Sequence, residues 1–121
     1  MALEIDDRAR RVLERCRPGQ AVLITVVGNY GLPGEMLTVE RCEAEQAAHD
    51  PDLTVLEAPL GVPIFIYRRI AAYARWHTLH LTARRLGWWT SLAIKSRDEV
   101  QHDLMHWEHT HPGLSAHVPA A

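Results

Sequence analysis

The chain has almost nothing in excess, and each shortage removes a class of protein. Two cysteines, Cys16 and Cys42, with no Cys-x-x-Cys pair, supply neither a disulfide framework nor a metal knuckle. Both read as ordinary small apolar residues. No run approaches the eighteen apolar residues of a membrane-spanning helix, and the N-terminal residues Glu4, Asp6 and Asp7 are acidic where a signal peptide is basic and then apolar. The sequence therefore leads us to expect a soluble cytoplasmic protein with no membrane partner. The formal net charge is only −2, so no overall field gathers polyanions, which argues against a nucleic-acid role without a local basic patch. Internal repeats, low-complexity blocks and linkers are absent as well.

What is present is the material of one globular unit. The chain is 121 residues long, 47% hydrophobic and 23% charged, which suits a single domain over residues 1–121. A chain of this size buries roughly two-thirds of its unfolded surface, enough for one core. From Ile5 to Cys16, apolar Ile5, Ala9, Val12, Leu13 and Cys16 recur at helical steps, with Asp6 and Asp7 at the start and Pro18-Gly19 at the end. The opposite face, Arg8, Arg10, Arg11, Arg15 and Arg17, reads as solvated. The run 21–27 is β-branched and bounded by glycine, as in a strand buried on both faces. A glycine-rich turn over 28–34 leads to a second strand over 36–41.

The polar residues 43–52 read as a loop, followed by strands over 53–57 and 62–66. Pro63 opens the second of these or places it at an edge, because proline donates no ladder hydrogen bond. Ile70, Tyr73 and Ala74 mark a short crossing helix, and strands over 77–84 and 88–95 meet at a turn around Leu86-Gly87. Ser96 and Glu99 spell a capping box for a final helix over about 97–109, ahead of a patternless tail at 113–121. The expected class is α+β: a compact antiparallel or mixed β-sandwich, or a barrel-like sheet, of about six strands with helices at the side.

Four groups of residues invite a chemical reading. His102, His106 and His109 fall within about 60° of one another on a helix, opposite Val100, Leu104 and Trp107, with His111 just beyond. Imidazoles at i and i+4 can chelate Zn²⁺ or Fe²⁺, so these four histidines are the candidate metal ligands. The run lacks the glutamate of His-Glu-x-x-His, and a solvated polar face is the commoner fate of such a stripe. His77 and His80, three apart on a strand, point to opposite faces and need outside partners for acid–base work. The loop at 28–34 opens into a strand and lacks the Lys-Ser/Thr of a phosphate cradle. Arg68, Arg69, Arg75, Arg84 and Arg85 with Tyr67, Trp76, Trp88 and Trp89 can form a base-stacking surface, though tryptophans in small cores are usually buried.

The order of helix, buried strand, glycine-rich hairpin and strand, then Gly61-Val62-Pro63-Ile64-Phe65-Ile66-Tyr67, short helix, strand and Gly87-Trp88-Trp89-Thr90-Ser91-Leu92-Ala93-Ile94, resembles the HesB-like domain. That family comprises the A-type iron–sulfur carrier proteins and uncharacterised bacterial relatives, and the likeness runs from Ile5 to about Lys95. The carriers hold their cluster with one cysteine in the glycine-rich loop and a Cys-x-Cys tail. Here Tyr30 stands in the loop and no cysteine follows Cys42. The resemblance therefore implies a retained scaffold without cluster ligands, and no iron–sulfur cluster is expected. The functional expectation is a non-enzymatic scaffold or interaction domain, homo-oligomeric through exposed apolar and tryptophan surface, with a histidine-based metal protein as the alternative.

Overall fold

A computed structural model describes residues 3–28, 35–57 and 61–111. Expectations for the turns at 29–34 and 58–60, with Tyr30, and for the tail at 113–121 fall outside the described residues. The elements follow in the order β1 (Leu3–Ile5), α1 (Asp7–Glu14), β2 (Gln20–Gly28), β3 (Glu35–Glu43), α2 (Ala44–Ala48), β4 (Leu53–Glu57), β5 (Pro63–Tyr67), α3 (Arg68–Ala74), β6 (Leu79–Leu86), β7 (Trp89–Ile94) and α4 (Arg97–Thr110). The strands form two sheets, β1-β6-β7 and β3-β2-β5-β4, each mixing parallel and antiparallel pairs. The class is α+β, as the sequence leads one to expect, and the sheets do not close into a barrel.

The seventh strand arises where the sequence pattern points to the start of a helix. Leu3–Ile5 lies parallel to β6, pairing Leu3 with Leu79 and Ile5 with Leu81. Ile5 is thus a strand residue, and the helix begins only after Asp6, whose carboxylate accepts the Ala9 amide at 2.8 Å. Ala9, Val12 and Leu13 turn inward, and the five arginines of the other face stay exposed. The stretch read as a loop contains α2, because Ala44, Ala47 and Ala48 are strong helix formers at i, i+3 and i+4. Pro63 opens β5, which lies between β2 and β4. An interior strand tolerates proline at its first position, where a missing N–H breaks no run of bonds.

The main core is assembled from all these layers. Val22 and Ile24 of β2, Ile64 and Ile66 of β5, and Leu79 and Leu81 of β6 are each essentially inaccessible to solvent. Helix α1 covers the three-stranded sheet, while α3 and α4 pack on one another and add Ile70, Tyr73, Leu104 and Trp107. A smaller cluster lies on the outer face of the four-stranded sheet, where Ala47 of α2 covers Phe65 and Ala21.

Candidate functional site

The β6–β7 hairpin carries the largest unburied aromatic surface among the described residues. Alternation sends Leu79, Leu81 and Ala83 inward from β6, and Leu92 and Ile94 inward from β7. Beyond Ala83 and Leu92 the ladder continues through Arg84–Ser91, Arg85–Thr90 and Leu86–Trp89, past the end of the core. Gly87 then takes a left-handed φ of +63°, as a two-residue link between antiparallel strands requires. The overshoot leaves Trp88 87% exposed and Trp89 53% exposed, their rings edge to face at 5.4 Å. Thr90 continues the inward face of Leu92 and Ile94, and Trp88 stands in the turn just before the strand, but no core remains there for either to enter.

The broader basic and aromatic set does not form one surface. Trp76, 70% exposed, precedes β6, whereas Trp88 follows it. Eight strand residues at about 3.3 Å each separate the two ends by roughly 26 Å. Tyr67 is half-buried on β5, with the Arg69 guanidinium 5.9 Å from its ring centre. Arg69 itself is clamped by Glu108, its Nε and a terminal nitrogen donating at 2.7 and 2.9 Å.

A second unfilled surface lies on the other sheet. Ala44, Ala47 and Ala48 of α2 form one wall of an open apolar hollow of about 610 Å³, with Phe65 in its floor and Leu53, Val55 and Pro63 opposite. Glu45 stands in its lining, and Glu43 is exposed at the start of the same helix. A smaller cleft of about 220 Å³ runs between β3 and β7, lined by Leu37, Val39, Leu92 and Ile94 with Arg84 and Arg97.

The histidines occupy separate places. His102, His106 and His109 are exposed along α4, while Leu104 and Trp107 face the core, as the stripe implies. His111 leaves the stripe: its ring stacks on Trp107 at 4.9 Å, and its Nδ1 lies 3.0 Å from the Trp107 carbonyl. Among the described residues no three of His, Cys, Asp or Glu stand close enough together to hold a metal ion. His80 Nδ1 lies 3.1 Å from Glu4 Oε2, across the β1–β6 pair. His77 stacks flat on Tyr73 at 4.2 Å, and its Nε2 is 3.9 Å from Asp103 Oδ2. The Tyr73 hydroxyl donates to the same Asp103 oxygen at 2.5 Å. Burial first, and then Asp103, push the Tyr73 phenol well above its ordinary value. Neither histidine–carboxylate pair lines the hollow or the cleft.

The two thiols are also apart, Cys16 beyond the end of α1 and Cys42 on β3. Burial, with Glu40 and Glu43 adding repulsion, raises the Cys42 thiol above its ordinary value. The Tyr73–Asp103 and Arg69–Glu108 pairs escape sequence reasoning, since their partners are 30 and 39 positions apart. The hollow escapes it too, because its wall is α2. Comparison with protein-family models, with curated proteins and with solved structures found no match for this chain.

Proposed function

We propose that this chain is a non-enzymatic interaction domain, a scaffold of HesB-like kind without cluster ligands, that associates with itself through the β6–β7 apex. The observation that carries the reading is the pair Trp88 and Trp89, standing clear of the core on a hairpin that the fold continues beyond its own needs. Folding gains little from an indole left in water, whereas two adjacent indoles beside Arg84 and Arg85 supply the residue types that dominate binding hot spots. The hairpin fixes them on a rigid ladder, so little conformational freedom is lost on contact.

Sedimentation velocity over a range of protein concentrations tests this. The wild-type chain is expected to form larger species as concentration rises, and Trp88→Ala/Trp89→Ala to remain monomeric with an unchanged melting temperature. A wild-type chain that stays monomeric throughout, or a double variant that associates equally well, contradicts the reading.

A further inference from the structure

Resting on that reading, we infer that the apex of one copy docks into the hollow between α2, β4 and β5 of the next, so that copies join head to tail. The two surfaces are opposites in shape and in charge. The apex is convex and aromatic, and the charged side chains beside its tryptophans, Arg84 and Arg85, are both cations and both exposed. The hollow is concave and apolar, with Glu45 in its lining and Glu43 beside it. Its volume of about 610 Å³ is in the range of sites that enclose a group larger than one indole. Neither Arg84 nor Arg85 at the apex, nor Glu43 or Glu45 at the hollow, has an ion-pair partner among the described residues. Complementary charge is therefore free on both sides.

The alternatives fit less well. Apex against apex sets Arg84 and Arg85 against their own copies, a like-charge contact that interfaces avoid. A bilayer or a polynucleotide would meet the same two cations at the apex, but it would leave the apolar hollow beside α2 unfilled, and the net charge of −2 gives the chain as a whole no long-range attraction to it. The two surfaces also lie on different sheets, the hollow beside the outer strand β4 and the apex at the end of β6 and β7. One copy can use both at once. Such a contact joins unlike patches, so it propagates into rings or filaments instead of stopping at a symmetric dimer.

Two full-length variants with complementary lesions test the inference. Trp88→Ala/Trp89→Ala removes the knob and keeps the hollow. Ala48→Arg puts bulk and positive charge on the exposed side of α2 and keeps the knob; Glu45→Lys serves in its place if circular dichroism shows that Ala48→Arg fails to fold. Each variant alone is expected to weaken self-association by at least about tenfold, the scale of one hot-spot loss. Mixed in equal amounts they are expected to form a one-to-one complex that grows no further, because only one intact knob and one intact hollow remain.

A mixture that stays monomeric overturns the head-to-tail contact. If the hollow variant associates like wild type while the apex variant does not, the inference fails and the interaction reading stands. If the apex variant associates like wild type, both fail. A wild-type chain that stays monomeric but co-sediments with phosphatidylserine vesicles, or binds a single-stranded oligonucleotide, replaces the second copy with that partner and also overturns the proposal.

Discussion

Tyr73 shows how much one side chain can be asked to do in a chain this short. It is 4% exposed, donates to Asp103, lies flat against His77 and meets Trp107 edge to face at 6.0 Å. Its phenol ties α3 to α4. Because the folded state raises the phenol above its unfolded value near 10, the neutral form is the one that folding favours. The contribution is therefore complete below about pH 10 and is lost as pH climbs towards the raised value. Melting curves followed through that alkaline range should show wild type losing stability more steeply than Tyr73→Phe, which has nothing to ionise. Parallel slopes for the two proteins would show that the phenol is not held neutral. Asp6 is shifted the other way, lowered by the Thr82 hydroxyl and the Ala9 amide, so its share of stability fades only as acid protonates it.

At the scale of an element, α4 is the clearest case of a sequence signature met in an unexpected way. Ser96 does precede the helix, but its backbone sits at φ 56°, ψ 44°, and its side chain makes no capping bond. A capping serine needs extended backbone to aim its oxygen at the third amide, and the left-handed conformation turns that oxygen away. The capping box expected from Ser96 and Glu99 is thus not formed, although the helix starts where it predicts. The left-handed region costs an L-residue roughly 1 kcal/mol and glycine nearly nothing. Ser96→Gly should accordingly raise stability by about 0.5–1 kcal/mol in urea unfolding, and Ser96→Ala should change it by only a few tenths. A loss of 1 kcal/mol or more in the alanine variant would restore the capping role. Further along the same helix the histidine stripe keeps its expected exposure. It owes this to the buried Leu104 and Trp107 on the other side, which fix the rotation of the whole element.

For the whole molecule, the question is what joins two separate sheets. Strands β3 and β7 are the neighbouring edges, and hydrogen bonds do not pair them. One core joins them, with Leu37 of β3 and Leu92 and Ile94 of β7 among its members, and the side-chain carbonyl of Gln101 on α4 accepts the amide of Leu37 at 2.8 Å, across 64 positions of sequence. That bond caps an edge that would otherwise offer its donor to another strand. Gln101→Leu leaves the donor of a 1% exposed residue unpaired and should cost about 1–3 kcal/mol, whereas Gln101→Glu keeps an acceptor and should cost less. Equal losses in chemical unfolding would mean that the bond contributes nothing beyond packing.

The sequence by itself determined most of the elements and which of their faces turn inward. Period-two runs such as 79–83, helical steps such as Ala9, Val12 and Leu13, and the proline opening β5 are local features, written within a few residues. It also determined that α4 turns its histidines outward, since Leu104 and Trp107 lie on the other face. Tertiary structure alone decided whatever needed a partner far along the chain. Leu3–Ile5 became a strand because β6 offers it an edge, and α2 became a helix over Phe65. Ser96 gave up its cap to the backbone path from β7, and His111 turned back onto Trp107. The apex and the hollow belong to this second group as well. An exposed tryptophan has the same sequence as a buried one, and only the point at which the core runs out decides between them.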